Sequence, residues 1–546
     1  MFVSPTIRAE SVADPVALAI EGQFDRLMSP GVDTVHGARI ALREPVQEFY
    51  MRRGFRPAWL NADNSVQLRK ALADSEADGL APEDYYRSLL DELSQQVTEP
   101  TATDVLRAEY DVLLTEAFLR LSYHLSFGKV DPESFDAQWN YGRTLASRDI
   151  AQEIETALAA DDIYQRVEGL KPTHKFYTEL KRELARYRAV AQESEWVAIP
   201  PGATLKPGMS DPRVPSLRAR LIASGDLASS QANDSLDYDS ALADAVRAFQ
   251  QRMGLDTDGA IGGGTLAELN RSPRERIQQI RVNLDRGRVL LHDLPDEFVI
   301  VNIAGYTGYL VRGQKIVWDA RVQVGRMYRE TPIFRSEMSY LVFNPTWTVP
   351  PGIIEKDILP EAKQDPGSIT RKGLKVIDAS GHEVSPESVD WSQFSGGHIP
   401  YTLRQDPGPK NALGRVKLMF PNPYLVYLHD TPSQALFDRA ERTFSSGCVR
   451  VERALELAEL VLNDQEHWNQ QSIADVIAAG TIQNVTLKNK IPVLLAYWTA
   501  WVDPQGRTNF RRDIYGQDEK WAKALDADFK VRAKPLFSPS VAASSY

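Results

Sequence analysis

The stretch 427-YLHDTPSQALFDRAERTFSSGCVRVE-452 holds Cys448, the only cysteine in 546 residues, and His429, one of eight histidines. A thiol attacks carbonyls as its thiolate. With a free pKa of about 8.5 it needs a base or an electrostatic field to act at neutral pH. His429 closes the apolar run YLVYLH and is placed to serve as base if the following loop folds back. Arg450 adds positive charge, and a helix starting near Glu452 would point its N-terminal dipole at the thiol. Gly447 lets the backbone turn so that amide N–H groups face a reacting carbonyl, as an oxyanion hole requires. A lone cysteine is most often a small buried hydrophobe. The small-residue turn SSGCVR is a wasteful place for a purely structural one.

Outward from this stretch the pattern is β-rich. EFVIVNIAGYTGYLVRGQKIVWDARVQVGR, YLVFNPTWTVPPGI and GRVKLMFPNPYLVYLHD alternate apolar and polar residues between Gly, Asn and Pro turns, as strands and hairpins do. Residues 350–405 interrupt them with an irregular Pro, Gly and Asp-rich insertion. Trp347, Trp391 and Phe394 argue that it is an ordered lid. VERALELAELVL is an amphipathic helix directly after the cysteine, and TIQNVTLKNKIPVLLAYWTAWVDPQGRTNF returns to β with a turn at DPQG. Upstream, residues 1–200 are helical. Val66, Leu68, Ala71, Leu72 and Leu80 mark one face that ends near Gly79. Leu113, Leu114, Ala117, Phe118 and Leu121 mark another that Gly128 stops. The stretch 198–215 reads as a Pro/Gly linker. The fold class is therefore multidomain α+β. A helical scaffold domain spans 1–200, a small all-α module 201–290, and a β-rich domain 291–502 with its insertion at about 350–405. A C-terminal hairpin, helix and low-structure tail occupy 503–546.

Composition narrows the function. A net charge of −11 opposes nucleic acid as a main partner, because phosphate neutralisation needs a basic face, and it gives no help at an anionic membrane. No apolar run reaches the ~18–20 residues of a membrane span. One cysteine excludes an intrachain disulfide and a cysteine-rich zinc site, and leans towards an oxidising compartment. The first residues, MFVSPTIRAESVADPVALAI, carry no basic region followed by an apolar one. They fit either a cytosolic chain or a mature form.

His429 followed by SSGCVR resembles the signature of the L,D-transpeptidases of the YkuD fold, and the wider runs resemble the family's large multidomain Gram-negative, YcbB-type branch. The residues AFQQRMGL, Asp258, Gly259, Ile261, Gly262, Thr265 and Leu266 resemble a peptidoglycan-binding repeat, with Phe249, Gln250, Gly254 and Leu255 in its first half. Many smaller members carry His immediately before Gly-Cys. Here Ser446 stands there, as in the large branch.

The resemblance implies Cys448 as nucleophile, His429 as base, and the Gly447 and Cys448 N–H groups as oxyanion donors. It implies Ser445 and Arg450 as loop-ordering residues and Tyr427 as groove lining. Arg404, Asn411 and Trp347 would touch substrate, and the insertion would cap the cleft. It implies acyl transfer from a peptidoglycan tetrapeptide stem, with loss of D-Ala, to a diaminopimelate amine. The product is a 3→3 cross-link, made with no metal or organic cofactor. Acylation by carbapenems, a periplasmic location and cell-wall synthesis partner proteins also follow. Same-fold hydrolysis, amidase action or lipoprotein attachment stay open, since the sequence does not set the acceptor. A non-catalytic wall-binding protein predicts a degraded Cys/His pair, and both residues are intact. A general cysteine protease would leave the peptidoglycan-binding repeat unexplained.

Overall fold

The computed structural model describes residues 14–59, 61–135, 140–141, 150–193, 196–292 and 294–530. The first residues and most of the C-terminal tail lie outside these. The chain folds as two compact units.

The first unit combines residues 1–193, 272–292 and 518–546. Its centre is the helix Asp104–Phe127, capped by the Thr103 side chain and ended at Gly128, whose φ of +79° suits glycine. The expected apolar face is buried, but so are Asp111, Glu116, Arg120 and His124, because neighbours surround this helix on all sides. Buried charge must be paired. Asp111 accepts from the Ala58 and Trp59 N–H groups at 2.8 and 2.9 Å and from the Tyr50 hydroxyl at 2.6 Å. Glu116 pairs with Arg120 at 2.6 Å.

Two boundaries drawn from the sequence need correction. The helix Pro273–Leu290, assigned above to the small module, packs along the helix Lys175–Glu193 of the scaffold. Its fully buried Arg288 pairs with Asp285 at 2.9 Å and donates to the Asp78 carbonyl at 2.7 Å. A buried guanidinium must sit where its acceptors are. The C-terminal segment 503–546 also divides, since Trp521 in the helix Gln517–Asp526 donates to Asp285 at 2.9 Å.

The second unit holds the small helical module and the β-rich domain. The module consists of helices Val214–Ala223, Ser240–Met253 and Gly263–Asn270. Gln250 staples its loop, donating to the Ala260 carbonyl and the Asp258 carboxylate, each at 2.9 Å, and accepting from the Gly259 N–H at 2.9 Å. The expected linker is tied down in part. Asn270 exchanges both amide bonds with Ile199, at 2.8 and 2.9 Å, and Leu205 bridges to Ile261. The hairpin of Ala500–Val502 and Thr508–Phe510 joins this module through Arg252, which donates to the Thr508 carbonyl at 2.5 Å.

The β-rich domain is a mixed sheet of nine strands: β1 (Glu297–Asn302), β2 (Thr307–Arg312), β3 (Lys315–Gly325), β4 (Phe334–Phe343), β5 (Val416–Met419), β6 (Leu428–His429), β7 (Thr443–Ser445), β8 (Val449–Val451) and β9 (Gln483–Ala496). Their order is β7-β3-β8-β6-β5-β4-β9-β1-β2, and β2 pairs back onto β3, so eight strands close on themselves. β1/β9, β6/β8 and β3/β7 are parallel pairs. Alternate residues such as Val322, Val324, Leu341, Leu418, Leu428, Val449 and Val451 fill one core, to which the helix Ala454–Leu462 adds Leu457, Ala458 and Val461.

The insertion between β4 and β5 is an ordered subdomain. Its short strands, Trp347–Thr348, Lys375–Ile377, Glu383–Val384 and Thr402–Gln405, form a separate four-stranded sheet over its own cluster of Ile354, Ile358, Leu359, Ile369, Val376 and Trp391.

Candidate active site

Strand register assembles the site. β6 runs parallel to β8 with Leu428 opposite Val449 and His429 opposite Arg450. Side chains alternate along a strand. Leu428, Val449 and Val451 therefore enter the core, while Tyr427, His429, Cys448 and Arg450 share the other face. Two further pairings extend this face, Lys417 of β5 opposite His429 and Gln323 of β3 opposite Arg450. Gln323, Arg450, His429 and Lys417 thus form a row across four strands. Tyr427 and Cys448 lie one step along it. The Tyr427 and His429 rings meet edge to face, with centroids 5.7 Å apart.

The turn that carries Cys448 is fixed from below. Ser445 Oγ donates to the Cys448 carbonyl at 2.5 Å and accepts from the Gly447 N–H at 3.1 Å. Gly447 has φ +114°, a region that L side chains rarely adopt. Its carbonyl accepts from Thr331 Oγ1 at 2.8 Å, and Thr331 Oγ1 in turn takes the Gly325 N–H at 2.8 Å. The Tyr515 hydroxyl closes this buttress on the Gly325 carbonyl at 2.6 Å. The loop-ordering role expected of Ser445 fits this geometry. The oxyanion role expected of the Gly447 N–H does not, since that donor is engaged by Ser445 Oγ. Thr331 and Tyr515 left no signal in the sequence, because each lies far along the chain from the Cys/His motif and belongs to no motif of its own.

The thiol of Cys448 is half-buried. Burial raises its pKa from the ordinary 9.0, against a partial opposing pull from the Tyr427 backbone N–H, the Arg450 charge and the Tyr427 hydroxyl. Its Sγ lies 3.8 Å from the Leu425 carbonyl. Leu425 is itself at φ +58° and 75% exposed, a strained apolar residue at the rim of the thiol that the sequence did not single out. His429 is buried, and burial, then Arg450 and Lys417, press its pKa down to about 3. Its Nδ1–H donates to the Asp430 carbonyl at 2.6 Å, which leaves Nε2 with the free lone pair. The helix dipole expected at the thiol is absent from this arrangement. The helix begins at Ala454, after the three residues of β8 have carried the chain about 10 Å away. A dipole acts only within its first turn.

Arg450 donates to Gln323 Oε1 at 3.2 Å. Ser446 Oγ accepts from Arg329 Nη1 at 2.7 Å, and the same nitrogen reaches Asp357 of the insertion at 2.5 Å. Arg329 therefore ties the Cys448 turn to the insertion. Of the three residues assigned to substrate contact, Trp347 and Arg404 sit on the insertion's sheet and Asn411 at its crossing to β5. Trp347 is half-buried against the insertion's own core, and Arg404 pairs with Asp406 at 3.1 Å on the insertion sheet. Asn411 is 2% exposed. It donates to the Pro345 and Asp406 carbonyls at 3.0 Å and accepts from the Leu413 N–H at 2.8 Å. A side chain so saturated with backbone partners has nothing left for a ligand, and Asn411 holds the crossing from insertion to β5. Among the described residues no three His, Cys, Asp or Glu side chains gather as metal ligands do. No helix among them is long and apolar enough to cross a membrane.

A closed mixed sheet thus presents a cysteine, a neutral histidine and two cations on one face. Residues 296–484 match the family model "L,D-transpeptidase catalytic domain", YkuD. Residues 44–184 match "Scaffold domain" and 210–269 match "Putative peptidoglycan binding domain". A "Putative L,D-transpeptidase" of Haemophilus influenzae is 36% identical over 245 residues, 44% of this chain and 48% of that protein, so the match spans about half of the relative's length. Among solved structures, an L,D-transpeptidase from Xylanimonas cellulosilytica is 16% identical, with 54% of this chain and 99% of that one covered and a TM-score of 0.18. One from Stackebrandtia nassauensis is 13% identical, with 54% and 94% covered and a TM-score of 0.21. Residues 296–484 are thus similar to an L,D-transpeptidase catalytic domain of the YkuD type, preceded in the chain by stretches that match a scaffold domain and a putative peptidoglycan binding domain.

Proposed function

We propose that the protein is a cysteine-dependent L,D-transpeptidase that forms 3→3 cross-links between peptidoglycan stems, working in the periplasm. The observation that carries this reading is the shared face of Cys448, Tyr427 and His429, with His429 Nδ1–H held by the Asp430 carbonyl and Nε2 left as acceptor. In the first step Nε2 takes the thiol proton as sulfur bonds to the carbonyl carbon between diaminopimelate and the terminal D-Ala. The Cys448 N–H faces the developing oxyanion. Collapse breaks the C–N bond, the imidazolium protonates the departing D-Ala amine, and a thioester remains. In the second step the diaminopimelate amine of a neighbouring stem attacks, His429 accepts its proton, and the thiolate leaves and is reprotonated. Tyr427, whose hydroxyl interacts with the sulfur, orients it between steps.

The test is intact mass after incubation with a carbapenem. One adduct on the parent protein and none on Cys448→Ala is the expected result. A well-folded parent that gains no adduct overturns the reading. Incubation with purified disaccharide-tetrapeptide then identifies the acceptor by product mass.

A further inference from the structure

The site face is more basic than thiol chemistry requires. Lys417 and Arg450 flank His429 from both neighbouring strands, in register with it. Lys417 Nζ sits 5.7 Å from the centroid of the Tyr427 ring, and the hydroxyl of that ring is within hydrogen-bonding reach of the thiol. Among the described residues no carboxylate pairs with Lys417 or with Arg450. Arg450 has one neutral partner, Gln323, and its buried Nε has none. A third cation, Arg326, adds to the charge felt by Arg450. Elsewhere in the chain, buried cations such as Lys129, Arg252 and Arg286 have carboxylate partners, and Arg220 and Arg442 donate instead to two or more backbone carbonyls. Two partly desolvated cations left unmatched beside a nucleophile are costly unless an anion arrives to complete them.

The geometry points to a carboxylate subsite formed by Lys417 and Arg450, which seats an anionic group of the acyl donor beside the scissile carbonyl. This rests on the acyl-transfer reading given above and adds to it the requirement that the donor be anionic near its reacting bond. Adjacent strands lie about 4.8 Å apart, so β5 is about 10 Å from β8. A lysine side chain spans more than half of that distance. The carboxylate would therefore lie within a few bonds of the carbon attacked by Cys448. In a stem tetrapeptide two groups satisfy this, the side-chain carboxylate of the third residue and the terminal carboxylate of the leaving residue. Seating either one would also offset the two charges that add to burial in holding His429 neutral, and so strengthen it as a base when substrate is in place. Facing His429 are Arg450 from β8, Lys417 from β5, and the carbonyls of Asp430 and Leu413.

Binding, rather than turnover, separates this subsite from the function itself. The full-length Cys448→Ala protein and its Lys417→Met and Lys417→Arg derivatives are titrated by calorimetry with three synthetic tetrapeptides. These are the parent, its side-chain carboxamide and its C-terminal carboxamide. Hydrogen bonds to charged groups predict that Lys417→Met weakens the parent peptide roughly 10- to 100-fold. The penalty should vanish for whichever carboxamide has lost the seated group, and Lys417→Arg should restore much of the affinity. Equal affinity of all three peptides for the Lys417 protein, or an undiminished preference in Lys417→Met, overturns the subsite. D-Ala release by the protein with Cys448 intact reports separately on the transferase reading.

Discussion

Alkylation of Cys448 as a function of pH tests the electrostatics of the resting site. The structure pairs a thiol whose pKa is raised from 9.0 with an imidazole pressed down to about 3. The resting state is therefore neutral thiol and neutral histidine, not a thiolate–imidazolium pair. At pH 7 a pKa above 9 leaves a thiolate fraction on the order of 1% or less, changing about tenfold per pH unit. Between pH 6 and pH 8 the rate of reaction with iodoacetamide should rise about 100-fold, with no shoulder at lower pH. The readout is intact mass against time, and the single cysteine makes it unambiguous. His429→Gln should leave that slope in place while slowing carbapenem acylation by about 10²- to 10⁴-fold, the usual contribution of a general base. A flat alkylation rate from pH 5 to 8 would refute the reasoning, because it requires a preformed ion pair. The His429 shift also sets a sign for stability. Its neutral form is the one the fold accepts, so its contribution is complete above the unfolded pKa of 6.5 and is lost as pH falls from there through about 3.

Two more substitutions separate structural from substrate roles. Asn411→Ala removes a side chain bonded to the backbone on both sides of the insertion crossing, and should cost about 2–4 kcal/mol in urea unfolding of the catalytic domain. An unchanged midpoint with a raised KM would show instead that Asn411 meets substrate. Arg329→Met cuts the link from Ser446 to Asp357 and should speed amide hydrogen exchange across 351–363 at least severalfold, together with a change in acylation rate. Exchange equal to that of the parent would show that the capping subdomain is held by other contacts.

The residues proposed here to carry the chemistry, and the broad architecture, were legible in the amino-acid order, because their signals are local. A lone thiol beside a glycine, a histidine ending an apolar run, and a switch from helical to alternating periodicity each survive in the structure. The Gln250 motif reads as a small helical module for the same reason, since its staples lie within fifteen residues. What depended on distant partners was not legible. Asn411 looked like a ligand contact until Pro345 and Asp406 took its amide, and the helix at 273–290 looked like part of the module until Arg288 found its acceptors in the scaffold. The helix dipole failed because three residues of strand lie between the cysteine and the helix, a spacing that only the assigned register reveals. The closed sheet decides the rest. Parallel pairing of Leu428–His429 with Val449–Val451, and antiparallel pairing with Val416–Met419, bring Lys417 and Arg450 to opposite sides of one imidazole. No periodicity within a single strand encodes that meeting. It arises because side chains opposite one another in register must share a face, and strand order is a property of the whole sheet.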